Sequence, residues 1–199
     1  MLYDNALLGR VYLDAFRSTG RPLYRKVVEE TIDFVARDLQ APNGGFYSTL
    51  DADSEGVEGK FYVWTFDEFK HVAGADTDLL ARYFDVTPDG NFEGNNILHI
   101  SHAPGTFAHS EGVSVEDLGN RVARVLPELF KQREIRIRPG RDEKILTDWN
   151  GLMLRTVANA AAYLDRSDYR ELAIKNAEFL IEKMWDGKRL RHGFKDGQA

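Results

Sequence analysis

The chain is 199 residues long, 43% apolar, 29% charged and 12% aromatic, a composition that excludes general disorder and suits one domain or somewhat more. A net charge of −6 argues against a dedicated duplex-DNA or anionic-membrane binder, because both need a basic face. The absence of cysteine excludes disulfides, thiolate zinc sites, iron–sulfur clusters and a cysteine nucleophile within these residues.

No stretch predicts a membrane span: the longest apolar run, Val157 to Leu164, is far short of the roughly 20 residues needed. The N-terminus carries neither a basic n-region nor a cleavable apolar core, so a soluble, cytoplasmic chain is expected. Leu2 to Thr19 predicts a helix apolar on most of its circumference through Leu7, Leu8, Val11, Tyr12 and Phe16, hence buried on several sides. Gly20 and Pro22 punctuate it, and Leu23 to Leu39 predicts an amphipathic helix with Tyr24, Val28, Ile32 and Val35 on one face. After Gly44-Gly45 the pattern turns aromatic and β-branched. Phe46–Thr49 and Lys60–Trp64, either side of an acidic loop, predict a small β-hairpin insertion.

Thr65-Phe66-Asp67-Glu68 spells a capping box, opening a short helix to Ala73, with another around Asp78 to Phe84. Residues 85–113 predict loops and a brief strand over Asn96 to Ile100. Val115 to Leu129 steps at helical spacing, and a basic loop follows from Arg136. Ile145 to Leu164 predicts a second helix apolar nearly all round, then Tyr169 to Met184 an amphipathic one.

The strongest organisational signal is an internal repeat. Shifted by 145, residues 5–39 align with 150–184 without a gap, pairing Asn5 with Asn150, Arg10 with Arg155, Arg21 with Arg166, Tyr24 with Tyr169 and Arg25 with Arg170. Each copy pairs an inner apolar helix with an outer amphipathic one. Repeated, such hairpins build an α/α toroid or a solenoid, since one hairpin cannot bury its faces alone.

Two polar stretches could carry chemistry. The first, Asp51 to Gly59, holds Asp51, Asp53, Glu55 and Glu58 in a glycine-bearing loop. It begins like a calcium loop but has Tyr62 where the twelfth-position glutamate belongs, so no metal is expected. Clustered carboxylates can instead raise one another's pKa and divide acid from base work; a solvated turn-making loop is the plain alternative. The second stretch gathers Arg136, Arg138, Arg141, Lys144, Asp148, Trp149 and Asn150 at the start of a buried helix. Arginine forks grip anions there, and tryptophan beside Asp and Asn suits a sugar; the alternative is a structural knot in which an aspartate caps the helix. The asparagines Asn5 and Asn150 are read as helix caps. The five histidines are scattered, and no phosphate loop, dinucleotide fingerprint or nucleophile elbow is present.

Four runs together resemble a known family: Met1 to Leu8, Gly44 to Thr65, Gly90 to His99 and Arg141 to Leu152. They are similar to the thioredoxin-domain-containing proteins related to spermatogenesis-associated protein 20, whose bacterial members include YyaL. The resemblance implies an N-terminal thioredoxin-like domain followed by an (α/α)6 toroid similar to N-acylglucosamine 2-epimerase and six-hairpin glycosidases. Residues 1–199 would then be an incomplete N-terminal part of that toroid. The epimerases use paired histidines on inner helices, and neither inner helix here carries one.

The expected architecture is therefore mainly α, a partial (α/α)6 toroid of helical hairpins with a small β-hairpin insertion. The expected ligand is a sugar-like small molecule in a central cleft, without cofactor. Asp51, Asp53, Glu55, Glu58 and Asp148 are the candidate carboxylates for glycosidase- or epimerase-like work. Tyr62, Trp64 and Trp149 are the candidate stacking faces, Arg138, Arg141 and Lys144 the anion grips, and Asn150 a further substrate contact. The alternative is a non-catalytic module serving the thioredoxin-like domain. An open toroid face would favour self-association, and neither nucleic acid nor membrane is an expected partner.

Overall fold

The computed structural model describes residues 1–199 and is mainly helical with small two-stranded sheets. In chain order the elements are α1 (Leu2–Thr19), α2 (Pro22–Phe34), β1 (Thr49–Leu50), β2 (Asp53–Ser54), β3 (Val57–Glu58), α3 (Phe66–Ala73) and α4 (Thr77–Tyr83). Then come α5 (Pro104–Glu111), α6 (Val115–Glu134), β4 (Arg141–Asp142), β5 (Ile145–Leu146), α7 (Thr147–Leu164), α8 (Ser167–Phe179) and β6 (Gly193–Phe194). They divide into two compact units: Met1–Asp51 with Arg141–Ala199, and Ala52–Gly140.

The first unit is the repeat. Adding 145 to the bounds of α1 and α2 gives those of α7 and α8, and each outer helix ends in a π-helical turn, Val35–Leu39 and Leu180–Met184. Gly20 and Asp165 close the two inner helices in the left-handed conformation, their N–H groups donating to Phe16 and Ala161 carbonyls. The inner helices run parallel: Tyr3 meets Trp149, the Thr156 hydroxyl donates to the Ala6 carbonyl, and Arg17 lies over Tyr163. A Cβ on Gly9 would stand 3.2 Å from Thr156 Cγ2, so this glycine sets how closely the two helices approach.

Leu13, Val28, Ile32, Met153, Val157 and Tyr169 share one core across both hairpins. A smaller cluster, Ala41, Ile145, Phe179, Leu180 and Met184, closes the end where β5 pairs β6. Burial of α1 on several sides does not occur. Leu7, Leu8 and Val11 are exposed, because α1 packs mainly against α2 and α7 and these cover the face of Ala6, Gly9 and Leu13.

The second unit packs α3, α4, α5 and α6 around Phe69, Leu80, Phe84, Leu118 and Val125. Thr65 and Glu68 form the expected capping box. The expected hairpin of Phe46–Thr49 with Lys60–Trp64 is absent. Phe46 bridges Gln40, Thr49–Leu50 pairs Arg141–Asp142, and the N–H groups of Tyr62 and Val63 turn back to the Gly59 carbonyl. The hairpin lies inside the acidic loop instead, with Asp53 opposite Glu58 and Ser54 opposite Val57. Nor does Asn96 to Ile100 form a strand. Asn96 alone bridges Trp64, its buried amide bonding Trp64 and both backbone groups of Thr87. Helix α5 arises where loops were expected.

Candidate functional site

The candidate residues separate between the units. Asp53, Glu55, Glu58, Tyr62, Trp64 and Arg138 belong to Ala52–Gly140; Asp51, Arg141, Lys144, Asp148, Trp149 and Asn150 belong to the unit of the two hairpins.

Within Ala52–Gly140, the acidic hairpin borders a cleft of about 710 Å³. Glu55, Glu58, Lys60, Phe61, Phe92 and Arg136 are among its lining residues. Two ties hold the wall. The buried Ser54 hydroxyl donates to the Ile137 carbonyl, and Arg136 Nη1 donates to the carbonyls of Phe61 and Val63. Arg136 also pairs with Glu68 at 3.2 Å and lies 4.2 Å over the Trp64 ring. Arg136 therefore holds the Phe61–Val63 turn through its backbone carbonyls and Glu68 through its carboxylate. Lys60 closes on Glu55 at 2.8 Å, while β2–β3 pairing sets Asp53 and Glu58 opposite one another.

The aromatic candidates divide. Trp64 is 5% exposed and belongs to the core, with Arg136 across its face, and it does not line the acidic cleft. Tyr62 is exposed but lines a different groove, of about 560 Å³, with Leu126, Pro127 and Phe130. Phe92, 44% exposed, supplies aromatic surface to the cleft instead, while Phe61, also in its lining, is 3% exposed. Neither stood out in the sequence as a ligand contact, although both lie in runs that carry the family resemblance.

The basic candidates are engaged within the protein. Arg138 pairs with Glu134 and lies 5.7 Å over Phe61. Arg141 donates to the Asp38 carbonyl, pairs with Glu143 and covers Tyr47. Lys144 pairs with Asp142 at 3.1 Å. Against the cost of its partial burial, the backbone N–H and ammonium of Lys144 hold the Asp142 carboxyl below the usual range.

Asn150 corrects two expectations, substrate contact and helix cap. It is fully buried; its carbonyl accepts from Phe46 N–H and the Asn176 amide, and its own amide donates to the Phe46 and Leu146 carbonyls. Nothing remains for a ligand. Asn5 is no cap either, its amide donating back to the Met1 carbonyl. Asp148 is exposed in the first turn of α7 and accepts from the Trp149 N–H, while Trp149 rests against Tyr3 at 4.8 Å. No group of three or more His, Asp or Glu side chains is placed to hold a metal ion. No helix is long and apolar enough to cross a membrane.

No family model matches the chain. Curated relatives do. Spermatogenesis-associated protein 20 of Homo sapiens is 33% identical over a 212-residue alignment that takes in 94% of this chain and 27% of the relative. The Mus musculus protein of the same name is 32% identical with the same coverage. An uncharacterized protein of Caenorhabditis elegans is 28% identical over 96% of this chain and 30% of that protein. The chain thus spans about a quarter to a third of the length of the curated relatives it matches.

Proposed function

We propose, from the premise that this chain is a homologue of part of spermatogenesis-associated protein 20, that its Ala52–Gly140 unit binds a hydroxyl-rich, sugar-like small molecule. The cleft of about 710 Å³ carries the proposal. That volume lies in the usual range for small-ligand sites, and the lining combines what a sugar ring needs. Glu55 and Glu58 accept hydrogen bonds from hydroxyls, Lys60 donates, and the exposed Phe92 presents an apolar face to C–H groups. Because Arg138, Arg141 and Lys144 are already paired, the reading favours a neutral ligand over a phosphorylated one. In the hydrolytic form of the proposal, Glu55 and Glu58 divide the acid and base roles across a glycosidic bond.

Thermal shift on the whole chain with neutral sugars, amino sugars and sugar phosphates tests this. A ligand at about 100 times its Kd stabilises by about 2.7 kcal/mol. For a chain of this size that raises Tm by roughly 5–10 °C. Glu58→Gln is expected to abolish the shift without lowering the unliganded Tm, since Glu58 is exposed. No response to any sugar sinks the reading.

A second reading, a non-catalytic module serving a thioredoxin-like domain, draws support from the Glu55–Lys60 pair, which commits one of the cleft's carboxylates to a neighbour. It predicts an unchanged Tm across the panel and a shift only when the thioredoxin-like domain is added.

A further inference from the structure

The seam between α1 and α7 carries a second concavity, confined to the unit of the two hairpins. Gly9 packs on Thr156, so their chain neighbours Arg10 and Arg155 border one hollow, of about 240 Å³, together with Leu7, Asp14 and Leu152.

The offset of 145 makes Arg10 and Arg155 equivalent residues of the repeat, yet their surroundings differ by one group. In the first copy a carboxylate stands one turn further on: Arg10 Nε donates to Asp14 Oδ2 at 2.8 Å. That hydrogen bond above all holds the Asp14 carboxyl below its usual range, outweighing desolvation. Asp14 is also shared with Arg17 at 3.2 Å. In the second copy, position 159, the equivalent of 14, is Asn, and its amide turns back to the Arg155 carbonyl at 2.7 Å. Arg155 is exposed, and its guanidinium meets no carboxylate, other acceptor or ring.

A second donor is idle as well. Arg10 Nη1 is buried and has no hydrogen-bond partner. Buried donors left in that state are rare in native proteins, and a charged one costs more than a neutral one. The Arg10 side chain is 29% exposed, so a modest turn about its outer bonds brings Nη1 to the hollow. Two guanidinium groups against one carboxylate leave this rim positive, in a chain whose net charge is −6.

We propose that the hollow binds a small oxyanion, a phosphate or a carboxylate group, held by Arg155 and by Arg10 Nη1 and flanked by Leu7 and Leu152. The planar guanidinium fork matches two oxygens of such a group. At about 240 Å³ the hollow lies below the range of drug-sized pockets, which suits a simple anion or a short organic acid rather than a nucleotide. The site uses no residue of Ala52–Gly140, so it stands apart from the sugar reading.

NMR titration of the 199-residue chain tests this, following the arginine Nε–H signals with sodium phosphate and sodium succinate as separate titrants. Chloride keeps the ionic strength constant, so that general screening does not imitate binding. Saturable shifts of Arg10 and Arg155 are expected, with a Kd of about 1 mM or tighter. The tighter titrant tells phosphate from carboxylate. Arg155→Gln removes the free guanidinium. Asn159→Asp gives Arg155 the carboxylate, four residues on, that Arg10 already has. Each is expected to weaken binding at least about tenfold, with circular dichroism unchanged. No saturable shift with either titrant up to about 50 mM overturns the proposal. Binding that survives either substitution at full strength overturns it equally.

Discussion

Asn150 joins three separate segments through four hydrogen bonds, two of them to a residue 104 positions away. Replacing it by alanine would leave the Phe46 N–H and carbonyl buried without the partners Asn150 supplies, and the Asn176 amide with the Gly44 carbonyl alone. Each such group costs about 1–3 kcal/mol. Asn150→Ala is therefore expected to lose about 3 kcal/mol or more, a fall in Tm of roughly 6–12 °C by calorimetry. Asp76 acts through charge. Hydrogen bonds from Arg124 and then Arg121 hold its carboxyl below the ordinary range, outweighing the cost of burial. A depressed folded-state pKa means the stabilisation is complete above the unfolded value, near 3.9, and is lost as pH falls through the lower folded value. Asp76→Asn should melt below the parent at pH 7, and the gap should narrow once the pH drops below about 4. A gap constant from pH 7 to pH 2 would contradict that account.

At the scale of elements, the helices were legible because their signals are local. Apolar spacing, the Thr65 capping box, Gly20 and Pro22 each act within a turn or two, and the duplicated hairpin repeats them at one offset. The hairpin insertion was misplaced for a physical reason. Phe61 to Trp64 has the β-branched and aromatic composition of a strand, yet it meets that preference through burial and ring contacts while Gly59 coils its backbone. Helix α5 was missed although Pro104 sits at its first turn, because Gly105 and weak apolar periodicity hid it. The candidate site was half legible. A cluster of carboxylates was plain in the sequence, but which of them share a cleft depends on a two-residue pairing register, and Phe92 comes from well beyond the acidic loop. The basic stretch misled because arginine that binds backbone carbonyls looks, in a sequence, like arginine awaiting an anion.

For the molecule as a whole, the decisive fact is that Thr49–Leu50 pairs with Arg141–Asp142 in antiparallel register. The chain therefore leaves the hairpin unit and re-enters it at neighbouring points. Replacing residues 51–140 by Asn-Gly would close Leu50 onto Arg141 with a two-residue turn suited to such a pair. The shortened chain is expected to keep the helical circular dichroism of α1, α2, α7 and α8 and to melt cooperatively. An unfolded product would show that the hairpins need the intervening unit to find one another.

The parallel seating of α1 against α7 has a further consequence. Those helices are joined by side-chain packing and by the Thr156 hydroxyl, with no short covalent tether between them. A backbone severed anywhere in 52–140 would accordingly leave its two fragments clasped. Segments spliced in at that point would pay little topological penalty, which makes it the natural place for length to vary among related sequences.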